Sequence, residues 1–386
     1  MAVEGVPLRG LEERLAAAGR AGLARKTVPR PDGLDFMTND YLGLLGRPEL
    51  AEAAAEAAAR WGTGAGGSRL LGGDRPPHRR LEEALAEWKG TEAALVFPSG
   101  WQANAAALSA LLREGDGVWS DSLNHASIID GLRLSKANRF VFPHGDLDEL
   151  ERSLARHRSS CRTALIVVEG VYSMDGDVCD LPALRETALR HDAVLYVDDA
   201  HGTGTLPPRG RGVFDRFGMR PLENEVVMGT LSKALASQGG FVCCTARMRE
   251  YLVNFSRGFI FSTGLCPPAA AAALAALELF SSDGSLFGAL RRNCGTLAEG
   301  LRSMGLPASD ETPIFPVVLG EPYEALAAAR FLADRGIHAG AVRPPAVPEG
   351  SSRLRATVSA RHTEKDLQRL LDALSAFFEL RKGGRT

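Results

Sequence analysis

A chain of 386 residues that is 45% hydrophobic and 24% charged holds apolar surface enough for a large core and a second domain. Its 45 basic and 47 acidic residues leave a formal charge of −2, which excludes the electrostatic footprint of a nucleic-acid binder. The longest uncharged helical stretch, "PPAAAAALAAL" after Cys266, falls short of the ~20 residues a membrane span needs. The N-terminus lacks the apolar run and cleavage site of a signal peptide, and six scattered cysteines predict reduced thiols in the cytoplasm.

In chain order, residues 8–25 predict an amphipathic basic helix, and Ala-rich helices follow at roughly 49–61 and 79–89. Between them "GTGAGG" (62–67) matches the dinucleotide fingerprint letter for letter. It follows a helix and leads into a loop, whereas that fingerprint needs a strand before it and a helix after it. From there short apolar runs alternate with helical or loop segments: "AALVF" (93–97), "ALIVVE" (164–169), "AVLYVD" (193–198), "EVVMGT" (225–230) and "GFVCC" (240–244). This alternation predicts a mostly parallel α/β sheet, whose ligands lie outside the carboxyl ends of the strands. Ser99, Glu169, Asp198 and Lys233 all follow strand ends. After "FSTGLCPP" (261–268) comes an Ala/Leu helix and a polar break at 280–284. The rest, with "IFPVVL" (314–319) and "SRLRATVSA" (352–360), predicts a smaller α+β unit. The expected division is an N-terminal helix and arm at 1–45, a large domain at 46–280 and a small domain at 281–386.

The chemistry centres on "GTLSKALASQGG" (229–240). Ser232 directly precedes Lys233, so the serine-x-x-lysine spacing of penicillin-recognising enzymes is not met. Most lysines are solvated surface charges. One at a buried strand end loses hydration, its pKa falls, and its neutral amine becomes available to an aldehyde. Pyridoxal phosphate (PLP) is the commonest such aldehyde. It needs an acid under its pyridine nitrogen, a donor to its ring oxygen, a ring against its face and a cradle for its phosphate. Asp198, ending the run "AVLYVD", suits the first, and His201 three residues later suits the second. Asp199 points to the opposite side on the period of a strand. His125 in "DSLNHASIIDG" suits stacking, although a lone histidine is more often structural. "FPSGWQANAAAL" (97–108) turns a strand into a helix at Ser99, Gly100 and Trp101, where free N–H groups favour an anion; helix capping by Ser99 would look the same.

Eight segments together resemble the α-oxoamine synthases, most of all the 8-amino-7-oxononanoate synthases of biotin synthesis. They are "TNDYLGL" (38–44), "GAGGSRLLGG" (64–73), "SGWQAN" (99–104), "NHAS" (124–127), "EGVYSMDGD" (169–177), "DDAHGTG" (198–204), "GTLSKA" (229–234) and "RPPAVPEGSSRLR" (343–355). The resemblance implies the PLP-dependent aspartate-aminotransferase fold (fold type I), with a seven-stranded, mostly parallel sheet in the large domain. It implies that Lys233 holds PLP covalently and moves the substrate α-proton, that Asp198 and His201 serve the ring, and that His125 stacks on it. Ser173 and Thr230 fall at cofactor-contacting positions, and Glu169 falls near the reacting centre. Arg355, helped by Asn39, matches the arginine that grips the amino-acid carboxylate, and Arg25 corresponds to an N-terminal arginine that meets the acyl chain's carboxylate. Ser262 and Thr263 match residues that reach the phosphate of a partner subunit, which implies a homodimer with a shared active site. Position 101 departs from the family, which usually has Tyr or Phe there.

The implied reaction joins L-alanine to an acyl-CoA, pimeloyl-CoA, or to the pimeloyl group on a carrier protein, with loss of CO2. Three other readings share part of the set: 2-amino-3-ketobutyrate CoA ligase, an aminotransferase of the same fold, and a non-catalytic scaffold. Against the aminotransferase stands His125, because those enzymes usually stack an aromatic ring there.

Overall fold

Runs of four to six apolar, often β-branched residues cannot bury both faces unless other layers cover them. A computed structural model describes residues 10–27, 29 and 32–382 of the chain. In it the strands are β1 (Leu34–Phe36), β2 (Ala93–Phe97), β3 (Gly117–Asp121), β4 (Asn138–Phe142), β5 (Ala164–Glu169) and β6 (Ala193–Asp198). They continue with β7 (Glu225–Thr230), β8 (Gly240–Cys244), β9 (Ile314–Gly320), β10 (Ile337–Val342) and β11 (Ser352–Thr357).

Seven of them form the main sheet, in the order β2-β8-β7-β6-β5-β3-β4. All its pairings are parallel except those of β8, which runs antiparallel to both β2 and β7. This is the expected mixed, mostly parallel fold type I sheet. Every residue of β5 and β7 is buried, with one core cluster built around Ile166, Leu195 and Phe241 and a second around Leu108, Val167 and Val242. The register pairs Glu169 with Asp198 and Asp198 with Met228, so the polar ends of β5 and β6 stand side by side.

The five apolar runs read from the sequence match β2, β5, β6, β7 and β8 in both bounds. The basic helix is shorter than expected, Leu11–Arg20, because Gly22 takes a left-handed φ of 66° just beyond it; residues 8 and 9 lie outside the described residues. The helix placed at 79–89 begins earlier, at Pro76, where a proline fits the first turn because its missing N–H has no acceptor there anyway. The polar break near 283 is a bend of 80° between helices Pro267–Ser282 and Gly284–Ser303. Among the described residues no single helix is long and apolar enough to cross a membrane.

A second sheet, β1-β10-β11-β9, gathers the C-terminal strands and adds β1 from near the N-terminus, parallel to β10. That pairing brings the segment after β1, with Asn39 and Tyr41, against β11. Thr357 Oγ1 donates to the carbonyls of Phe36 and Thr38, and Ser359 Oγ to that of Asp40.

Candidate active site

At the carboxyl ends of β5, β6 and β7 lies a cavity of about 250 Å3. Ser99, Gly100, Trp101, His125, Glu169, Asp198, His201, Thr230 and Lys233 all line it. The sequence separates these residues by as much as 134 positions; the parallel sheet brings them to one edge.

Lys233 follows β7 on a short turn, and its Nζ is 2.8 Å from His201 Nε2. Burial is the main cause of its lowered pKa, about 8 against 10.5; Asp198 and Glu169 pull the other way and Arg355 adds to the fall. The amine is therefore partly neutral near physiological pH. Asp198, buried at the end of β6, accepts hydrogen bonds from Asn104 Nδ2 at 2.7 Å and from the Ala200 N–H at 3.0 Å. Asn104 is itself held, donating to Ser127 Oγ at 2.9 Å and accepting from the Tyr196 hydroxyl at 3.0 Å. The neighbouring Asp199 faces the other way and pairs with Lys89 Nζ at 2.8 Å, as the strand period requires.

His125 caps helix Ala126–Leu134, its Nδ1 accepting from the Ser127 N–H. That leaves Nε2 as its protonated nitrogen, and burial lowers its pKa. Glu169 is wholly buried, and its Oε1 has no hydrogen-bond partner. Burial, then the charge of Asp198, raise its pKa well above the ordinary carboxylate range, against the pull of Lys233. Two carboxylates on paired strand ends do not both ionise readily in so dry a place.

Helix Gly100–Leu111 starts at the cavity wall, with Ser99 Oγ accepting from the Gln102 N–H. The N–H groups of Gly100 and Trp101 have no intrahelical acceptor and are available to an anion. Glycine is required at this join: a Cβ on Gly240 would meet Gly100 Cα at 2.6 Å. Thr230 Oγ1 contacts Ser232 Oγ at 2.8 Å and donates to the Gly239 carbonyl.

A second cluster adjoins the cavity. Arg355, buried on β11, donates from Nε to the Ser173 carbonyl at 2.6 Å and from Nη1 to Asn39 Oδ1 at 3.1 Å. Tyr41 ties this cluster to the first, its hydroxyl 2.7 Å from His201 Nδ1. Three expected residues stand apart. Ser262 and Thr263 lie outside the cavity on a loop joined to Gly67 by the Gly264 N–H. Arg25 is exposed and donates to the carbonyls of Leu23 and Pro344. Asn104, Ser127 and Tyr41 gained no role in the sequence reading, although all three sit inside motifs it quotes. Their long-range contacts run from 23 positions, Asn104 to Ser127, up to 314, Tyr41 to Arg355, and spacing along the chain does not reveal them.

The model of the aminotransferase class I and II family matches residues 31–374. Over 375 residues the chain is 45% identical to the 8-amino-7-oxononanoate synthase of Anaeromyxobacter sp. (strain K), covering 97% of this chain and 94% of that protein. A solved variant of serine palmitoyltransferase from S. paucimobilis, with bound PLP–myriocin, superposes with a TM-score of 0.89 at 30% identity and 98% coverage of both chains. The 8-amino-7-oxononanoate synthase from Francisella tularensis superposes with a TM-score of 0.78 at 27% identity, covering 91% of this chain and 99% of that one.

Proposed function

The chain belongs to the aminotransferase class I and II family, beside the 8-amino-7-oxononanoate synthases, and on that premise we propose that it joins L-alanine to pimeloyl-CoA. The products are 8-amino-7-oxononanoate, CoA and CO2, a step of biotin synthesis. The cofactor of this enzyme class is PLP, and the cavity suits it. A buried amine, a carboxylate, a histidine N–H and an anion-binding helix start face one space. When bound, PLP supplies an aldehyde for an amine and a ring that accepts the electron pair released at the substrate α-carbon.

The protein's own groups divide the remaining work. Lys233 holds the cofactor and then, as a free amine of lowered pKa, takes the proton from the alanine α-carbon. Asp198, kept in place by Asn104, serves the pyridine nitrogen, and His201 Nε2 serves the ring oxygen. Ser99, Gly100, Trp101 and Thr230 cradle the phosphate, with Trp101 supplying bulk without a hydroxyl. His125 stacks on the ring and aims its Nε2–H at the oxyanion that develops on the thioester carbonyl. Glu169, its pKa raised by burial and by the charge of Asp198, resists adding a second charge beside that carboxylate. Arg355 and Asn39 hold the alanine carboxylate, the guanidinium offering a paired fork, and Ser173 fixes that guanidinium by its carbonyl. Arg25, beside Arg343, is assigned to the far carboxylate of the acyl chain.

Ser262 and Thr263 are assigned to the phosphate site of a second copy, in a homodimer. Phe261 beside them and Leu71 on the adjoining loop are largely exposed, 70% and 82%, which supports an apolar contact there. All six cysteines are unpaired thiols, which supports a cytoplasmic setting.

The observation that carries the proposal is the convergence of Lys233, His201 and Asp198 on one small cavity. Mass analysis of the product from alanine and pimeloyl-CoA tests it. Product from glycine and acetyl-CoA alone would instead identify the ligase reading, and a keto acid formed without CoA the aminotransferase reading. Lys233→Ala should abolish turnover.

A further inference from the structure

Loop 171–178, between β5 and helix Leu181–Arg190, is closed on itself. Val171 bridges to Val178, the Tyr172 N–H donates to the Asp177 carbonyl at 3.0 Å, and the Gly176 N–H donates to that of Tyr172 at 2.8 Å. The loop meets the C-terminal part of the chain at three points. The Ser173 carbonyl accepts from Arg355 Nε at 2.6 Å, the Gly176 carbonyl accepts from Thr312 Oγ1 at 2.7 Å, and Asp175 pairs with Arg353. Its remaining charged residue, Asp177, meets His144, which follows β4. Strands β5, β3 and β4 are neighbours in the sheet, so His144 reaches from the edge strand, over the end of β3, to the loop after β5. That span is about 10 Å, which one ring bonded at both nitrogens can bridge.

His144 Nδ1 is 3.1 Å from both oxygens of Asp121, the last residue of β3, and Nε2 is 3.0 Å from Asp177 Oδ2. An ionised carboxylate only accepts, so both ring nitrogens donate and the ring carries a charge. The bond to Asp121, then that to Asp177, raise its pKa to about 10. Asp121 is itself fixed, accepting the Leu123 N–H at 2.8 Å and the Gly145 N–H at 3.0 Å. Against burial, the bond from His144 and these two lower its pKa. The Tyr172 ring packs edge-on against the imidazole, with centroids 4.3 Å apart.

We propose that His144 is a positioning residue for the amino-acid carboxylate: it ties Asp177 to Asp121 and so holds loop 171–178 where the Ser173 carbonyl aligns Arg355. The guanidinium turns with that carbonyl, because Nε has one proton and gives it to Ser173. Each terminal nitrogen has two protons and gives one to Asn39 Oδ1 or to the Tyr41 hydroxyl, which leaves the other for a carboxylate. A loop released from His144 would still be gripped by Thr312, Arg353 and Arg355 but would no longer fix them against the main sheet. The effect on substrate rests on the reading of Arg355 as the carboxylate holder; the anchoring of the loop does not.

Two measurements at neutral pH test it. In cofactor-free protein, His144→Gln should speed amide hydrogen exchange across 171–178 by roughly tenfold or more, the effect of losing a hydrogen bond between charged groups. In PLP-loaded protein, the visible absorbance reports the binding of L-alanine and of ethylamine, which has the amine but no carboxylate. His144→Gln should weaken alanine roughly three- to tenfold and leave ethylamine unchanged. Asp177→Ala cuts the same bond from the half-buried loop side and should do the same; it decides the matter if His144→Gln folds poorly. Loop exchange at the wild-type rate, unchanged alanine binding, or equal weakening of alanine and ethylamine would overturn the proposal, the last because it marks a general distortion of the site. Wild-type protein in which alanine binds no better than ethylamine would sink the carboxylate reading of Arg355, while the exchange measurement would still decide whether His144 holds the loop.

Discussion

Asp198 and Asp199 are adjacent in sequence and opposite in environment, so converting each to asparagine separates the site from the scaffold. Asp199 has a side chain 1% exposed and faces Lys89, itself 3% exposed. The Lys89 ammonium is satisfied by Asp199 Oδ2 at 2.8 Å, Thr203 Oγ1 at 2.8 Å and the Arg211 carbonyl at 2.7 Å, while Asp199 Oδ1 accepts the Val213 N–H at 3.1 Å. An asparagine has one oxygen for two donors, so its NH2 must face either the Lys89 ammonium or the Val213 N–H. It also leaves the ammonium without a counter-charge. Removing one partner of a buried ion pair costs about 3–5 kcal/mol. The pocket cannot relax easily, since a Cβ on Gly212 would already overlap Asp199 Oδ2. Asp198→Asn loses no ion pair; it sets one NH2 against that of Asn104, at a cost of about 1 kcal/mol. Urea unfolding of the cofactor-free proteins should therefore show a large loss for Asp199→Asn and a small one for Asp198→Asn. Turnover under folding conditions should reverse the order, because only Asp198→Asn removes the group assigned to the pyridine nitrogen. Asp199→Asn as stable as wild type, or Asp198→Asn with wild-type turnover, would refute the reasoning.

Two pH effects follow from other groups. His144 lies between Asp121 and Asp177, at 3.1 and 3.0 Å, and hydrogen bonds to the two carboxylates raise its pKa from 6.5 to about 10. A histidine pKa raised on folding stabilises fully below 6.5 and loses that contribution as pH rises toward 10, so His144→Gln should cost more stability by urea unfolding at pH 6 than at pH 10. Burial is the main cause of the raised pKa of Glu169, so its folded pKa exceeds its unfolded value and stability falls as pH rises above 4.5. Glu169→Gln, neutral at every pH, should flatten that decline in the cofactor-free protein; parallel pH curves for the two proteins would show that Glu169 ionises as freely folded as unfolded.

Much of the site was legible because burial and chemistry coincide at strand ends. A continuous apolar run such as "ALIVVE" or "AVLYVD" has one reading, a strand covered on both faces, and the polar residue that ends it must lie at the sheet edge where ligands bind. Glu169, Asp198 and Lys233 were found that way. Strands without that signature escaped. In β3, Ser120 and Asp121 interrupt the apolar pattern, and both are buried; β4 is an edge strand exposing Asn138, Arg139 and Val141; β1 is three residues long. What no local pattern could convey is the junction at Tyr41. Its partners at positions 39, 201 and 355 come together only when β1 joins the C-terminal sheet beside β10 and so brings the following segment against β11 and His201. A residue in a quoted motif, "TNDYLGL", thus draws its meaning from strand pairing more than 300 positions away. The same pairing sets Asn39 beside Arg355, so one short parallel contact determines both the shape of the carboxylate cluster and the hydrogen-bond partner of the histidine that faces the lysine.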